Sequence, residues 1–128
     1  MLNLPTITSA LLLVTGSAVT TIEVHVSFVD LGLVSTIVTP GAENSLITTA
    51  TTTTIAPSPG ANTDRNVKFL SVQNTSAAPC QVTIQQTDGT NVVDLFNINL
   101  LPGYTMQYNS DGNGFVVYNN LGYILVAR

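Results

Sequence analysis

The sequence predicts an all-β protein: an antiparallel β-sandwich of about ten short strands, jelly-roll-like, with an extended N-terminal segment. Three observations lead there. Apolar residues do not recur at the helical period over any long segment; they alternate with polar ones or form short runs closed by Gly, Pro, Asn and Asp. The chain carries 19 Thr and 12 Asn; the β-branch of Thr fits a pleated surface, and Asn suits turns. Its 128 residues, 45% of them hydrophobic, can bury a core of their own, so no disulfide or metal is needed to hold the domain. Residues 20–128 are assigned to the sandwich and residues 1–19 to an arm or edge strand.

The elements follow in chain order. A first strand is expected over residues 7–15. A second, over 20–30, alternates well: Ile22, Val24, Val26 and Phe28 share one face, and Thr21, Glu23, His25 and Ser27 the other. Residues 35–39 form a short strand closed by Pro40-Gly41. The stretch 45–56 is read as one strand and contains Thr48, Thr49, Thr51, Thr52, Thr53 and Thr54 before Pro57-Ser58-Pro59-Gly60 breaks it. Pro is excluded from central strands, so this end belongs at an edge or in a loop. Six strands follow, over 67–73, 81–87, 92–100, 104–108, 114–118 and 123–127. Asp88-Gly89, Pro102-Gly103, Asp111-Gly112-Asn113-Gly114 and Asn119-Asn120 supply the turns between them, with Pro102-Gly103 suited to type II. The expected core contains Ile22, Val24, Val26, Phe28, Val67, Phe69, Val82, Ile84, Leu95 and Ile98.

Composition narrows the function. Only 8% of residues are charged, against about 25% in an ordinary domain. Three basic against seven acidic residues offer no electrostatic footprint for nucleic acid. The apolar run 10–14 is far short of the roughly 20 residues of a membrane helix, so no membrane partner is expected. No Lys or Arg precedes that run, and it reads as a strand rather than a leader ending at Gly16-Ser17-Ala18. One His, one Cys and no Trp leave few parts for catalysis, so no enzymatic activity, cofactor or metal is expected.

Several constellations have a functional and a structural reading. His25 lies on the polar face of its strand with no nucleophile-elbow sequence in the chain, and is read as a surface or interface residue. Residues 109–114 resemble the front of a calcium loop, but its twelfth position is Asn120 rather than Glu, so a hairpin tip is expected. Asn74-Thr75-Ser76 matches a glycosylation sequon and is read as a polar turn. Tyr104, Tyr108, Phe115, Tyr118 and Tyr123 crowd the last quarter; packing is preferred over a sugar-binding platform. Cys80 is expected as a small buried thiol. Arg65 can pair with Asp64 or with an acidic group across an interface.

Certain phrases carry a resemblance. Residues 20–30 (TTIEVHVSFVD), the run from Thr48 to Pro59, residues 65–74 (RNVKFLSVQN), 82–90 (VTIQQTDGT), 101–108 (LPGYTMQY) and 114–118 (GFVVY) occur in this order. Together they resemble small all-β virion proteins of tailed bacteriophages, over most of residues 20–122. The resemblance implies a capsid decoration (cement) protein on the outside of the virion. Its partners would be the major capsid protein and copies of itself, with a trimer preferred over a dimer. A tail, baseplate or fibre component is the first alternative, and a carbohydrate-binding host-attachment module the second. The candidate contact residues are Leu11, Leu13, Thr48, Thr49, Thr51, Thr52, Thr53, Thr54 and Arg65, because a Thr-rich strand edge with few charges invites pairing with another chain.

Overall fold

The computed structural model describes residues 2–16, 21–112 and 114–127, which are strand, turn and loop. The strands are β1 (Leu2–Leu4), β2 (Ala10–Thr15), β3 (Ile22–Gly32), β4 (Val38–Ile47), β5 (Thr52–Ala56), β6 (Thr63–Asn74), β7 (Cys80–Thr87), β8 (Val92–Leu100), β9 (Thr105–Asn109), β10 (Gly114–Tyr118) and β11 (Ile124–Ala127). They form two antiparallel sheets. The seven-stranded sheet runs β11-β10-β9-β6-β3-β4, with β1 also paired to β6; the four-stranded sheet runs β5-β2-β7-β8. Their inner faces enclose one core, so the all-β sandwich expected from the sequence is the observed architecture. These strand orders do not establish jelly-roll connectivity.

The period-two alternation works as expected in β3, where Ile22, Val24, Val26 and Phe28 are buried. Bulges shift it elsewhere, two of them next to residues expected in the core. In β6, Val67 pairs with Phe28 while Phe69 pairs with Ser27, so Lys68 is the extra residue. The bulge sends Leu70 and Val72 inward and leaves Phe69, expected in the core, half-buried on the outer face. In β8, Ile84 faces Phe96 and Gln85 faces Asp94, which makes Leu95 the extra residue. Phe96 takes the core position, with Leu95 and Ile98 packed against it. Val67, Val82 and Ile84 are buried as expected.

Three segments differ from the sequence reading. First, β4 runs straight through Pro40-Gly41. Pro is tolerated because β4 is an edge strand. Gly41 lies against the Phe28 ring, where an added Cβ would stand 2.5 Å from Phe28 Cε2. Second, residues 45–56 are not one strand: the chain leaves β4 after Ile47 and resumes as β5 in the other sheet. Third, the N-terminal segment is no arm over its described part. β1 pairs with β6, and β2 lies between β5 and β7. The rest of that expected arm, residues 1 and 17–19, lies outside the described residues, as do the Ser17-Ala18 end of the apolar run and Asn113 of the expected hairpin tip.

Polar latches join the sheets at opposite ends of β6. Near its start, Arg65 Nε and Nη2 donate to Asp30 Oδ1 and Oδ2 at 2.8 and 2.9 Å. Nη1 donates to the Pro57 carbonyl at 2.7 Å, and the guanidinium lies 3.9 Å from the Phe28 ring centroid. At the other end, Asn74 Nδ2 donates to the carbonyls of Ala78 and Leu100, both at 2.8 Å. Its Oδ1 accepts from Ser76 N and Oγ at 3.0 and 2.6 Å. Next to this latch, Gly103 has φ of 79° and Tyr104 N donates to the Leu101 carbonyl at 3.0 Å, in keeping with the expected Pro102-Gly103 turn.

Candidate functional site

The predicted contact residues fall into three groups. Leu11 and Leu13 are 0% exposed, so they are core residues and not a docking surface. Alternation explains this: β2 is an interior strand, and these two side chains point between the sheets. Arg65 is also corrected, because its guanidinium is committed to Asp30, Pro57 and Phe28 within the chain. The Thr run does reach the surface: Thr48, Thr49, Thr51, Thr52 and Thr54 are exposed and Thr53 is half-buried. One side of it is already paired. Thr52, Thr53 and Thr54 oppose Val14, Leu13 and Leu12 of β2. Thr15 Oγ1 donates to the Thr49 carbonyl at 2.7 Å and accepts from Thr51 N at 3.1 Å. The other side of β5 is an edge of the four-stranded sheet.

Sequence reasoning missed two exposed apolar surfaces. β3 and β4 form a long hairpin whose tip carries Leu31, Leu33, Val34, Ile37 and Val38, between 38% and 78% exposed. Gly32 N donates to the Ile37 carbonyl and Leu33 N to the Asn62 carbonyl, both at 2.8 Å, so the tip is anchored to the chain that leaves β5. No charged residue lies between Asp30 and Glu43. That uncharged run was the available signal, but residues 35–39 read equally well as a buried strand. A second apolar cluster, Leu121, Tyr123, Ile124 and Leu125, is more than half exposed at the β11 edge.

The other singled-out residues have structural settings. Tyr108 is buried, and its hydroxyl oxygen accepts from Leu2 N at 2.9 Å. Phe115 stacks on Phe96 with centroids 4.9 Å apart and is tilted against Tyr108 at 5.2 Å. These aromatics are packing and form no common platform with the exposed Tyr123. Asn74 is 0% exposed, so the sequon is a buried polar turn. Cys80 is buried. Asn109 Oδ1 accepts from Asp111 N at 3.0 Å, an Asx-type contact of a hairpin tip. Among the described residues, no three His, Cys, Asp or Glu side chains converge as metal ligands. His25 bonds Asn44 on the outer face of the seven-stranded sheet, with 2.6 Å between Nδ1 and Oδ1. The N–H groups of Asn91 and Thr90 hold the Asp88 carboxyl below its ordinary value, since both donate to its ionised form.

Comparison with protein-family models, curated protein sequences and solved structures gives no significant match.

Proposed function

We propose that this chain is a non-enzymatic structural protein of a tailed-phage virion, and specifically a capsid decoration protein. It would bind the major capsid protein on the exterior of the shell as a homo-oligomer, a trimer in preference to a dimer. The observation that carries the reading is the β3–β4 hairpin tip. Five apolar side chains project there with no charge between Asp30 and Glu43. A lone soluble domain seldom leaves such a patch in water, whereas an assembly protein buries it. The resemblance of residues 20–122 to small all-β phage virion proteins supplies the kind of assembly.

On this reading the tip and the free edge of β5 are the contact surfaces, in place of Leu11, Leu13 and Arg65. The edge offers unpaired backbone groups for strand addition, and its Thr hydroxyls add no charge that would repel a partner. The test is co-sedimentation of the purified chain with empty capsids that lack it. Saturable binding to capsids is expected, weakened about tenfold or more by Leu33→Ser with Val34→Ser. Binding to tails alone would replace the capsid assignment with a tail one. Binding to neither particle would end the virion proposal.

A further inference from the structure

Two depressions lie on one face. The register places Glu23, His25, Asn44, Leu46, Ser71 and Gln73 on the outer face of the seven-stranded sheet, opposite the core-facing Val24 and Val72. A hollow of about 470 Å³ opens among them. A second, of about 220 Å³, lies over β9–β11 and is lined by Gln107, Asn109, Val116 and Tyr118 among others. These residues share the outer face, because their neighbours Met106, Tyr108 and Val117 are buried. Ser71 of the first and Gln107 of the second are direct cross-strand partners, so the two hollows adjoin there. We read the pair as one trough across the six strands from β4 to β11. At about 4.8 Å per strand spacing it is roughly 24 Å long.

Its chemistry is selective. Among the described residues the lining holds one carboxylate, Glu23, and no Lys or Arg. An anionic ligand finds no counter-charge, least of all on a chain of net charge −4. Leu46, Val116 and Ile124 add apolar surface to the lining, but the amides and hydroxyls between them would each need a partner in a protein interface core, which is depleted of such groups. What the trough offers is neutral hydrogen bonding. Asn44 Oδ1 can only accept, so His25 donates from Nδ1. The side chains of Ser71, Gln73 and Gln107 make no hydrogen bond among the described residues. Each amide presents a donor and an acceptor together, the pairing that vicinal hydroxyls satisfy. Half-buried Phe69, with its ring centroid 6.2 Å from that of His25, flanks the middle of the trough, and half-buried Tyr118 flanks one end. Both are apolar surfaces for the C–H face of a sugar ring.

We infer that this trough binds an uncharged oligosaccharide laid across the strands. The inference does not rest on the capsid proposal, and of the aromatic cluster of the C-terminal quarter it uses Tyr118 alone. The test is NMR titration of the isotope-labelled full chain with uncharged glucan, galactan and mannan oligosaccharides, tetra- to hexasaccharide, beside sialylated and sulfated ones. At least one neutral probe should bind saturably, with shifts confined to residues 23–25, 44–46, 69–73 and 105–118. His25→Ala and Gln107→Ala should each weaken that binding by about tenfold while leaving the melting temperature unchanged. Val34→Ser, at the hairpin tip, should leave it intact. The inference is overturned if no neutral probe saturates, if only acidic glycans bind, or if the shifts gather around Tyr123. It is equally overturned if raising the protein concentration alone produces the shifts, since the trough would then receive a second copy. Capsid sedimentation reads none of these outcomes, so the two proposals fail separately.

Discussion

Removing the amide of Asn74 should destabilise the whole domain, because that one side chain ties β6 to the turn before β7 and to the end of β8. Its four hydrogen bonds use both donors and both acceptors. In Asn74→Ala the Leu100 carbonyl, bonded in a fully buried setting, loses this donor at a cost of about 1–3 kcal/mol. The three remaining bonds are partly buried and add about 0.5–1 kcal/mol each after water replaces them. The total is about 2.5–6 kcal/mol against a domain stability of about 5–15 kcal/mol. With a urea slope of about 2 kcal/mol/M, a loss of about 3 kcal/mol moves the unfolding midpoint down by about 1.5 M. Asn74→Asp sharpens the test. At neutral pH the ionised side chain offers no donor to two carbonyls, so burial raises its folded-state pKa above the unfolded value near 4. The extra penalty is therefore absent below about pH 4 and grows as pH rises toward the folded-state pKa. Urea titrations of both variants against the parent chain, repeated from pH 3.5 to 7, read this directly. A midpoint shift below about 0.5 M for Asn74→Ala, or a pH-independent difference for Asn74→Asp, would refute the reasoning.

Other consequences follow from the same packing. Leu13→Ala should cost about 2–5 kcal/mol in urea unfolding, and removal of residues 1–15 should abolish the cooperative transition, because β2 is interior to its sheet; a truncated chain that still melts sharply would restore the arm reading. Gly41→Ala should lower stability by about 1–2 kcal/mol, since the new methyl meets a Phe28 ring already held under Arg65, and thermal melting reads it. The carboxylate of Asp88, with its pKa lowered by the N–H groups of Asn91 and Thr90, contributes stability above its ordinary value that is lost as pH falls through the lowered one. Asp88→Asn should remove that part of the acid-range pH dependence, as chemical denaturation between pH 2 and 6 would record.

The sheet content was legible because alternation and turn chemistry are local signals. β3 shows its inward face at Ile22, Val24, Val26 and Phe28, and Gly103 takes the positive φ that Pro102-Gly103 announced. Bulges were not legible. Nothing in the residues around Lys68 or Leu95 marks the extra residue, yet each decides which of two adjacent side chains enters the core. Sheet membership was equally hidden. The run from Ser45 to Ala56 has a strand-like composition throughout, and only packing shows that it turns between sheets. Exposure was legible in part: the Thr run was placed at the surface by composition, while the burial of Leu11 and Leu13 required knowing that β2 is covered on both sides. Arg65 was singled out as a charge seeking a partner, and the partner is Asp30, brought from the neighbouring strand. The trough on the outer face joins residues from β4 to β11, far apart in sequence, and no local pattern announces it.

The capsid proposal is tested most directly by the copy number of this chain in purified virions, measured by quantitative mass spectrometry against the major capsid protein. A decoration protein should be present in hundreds of copies, in a fixed ratio to the shell subunit, and should be lost together with the shell when heads and tails are separated. A few copies that travel with the tails, or none in washed particles, would contradict the account.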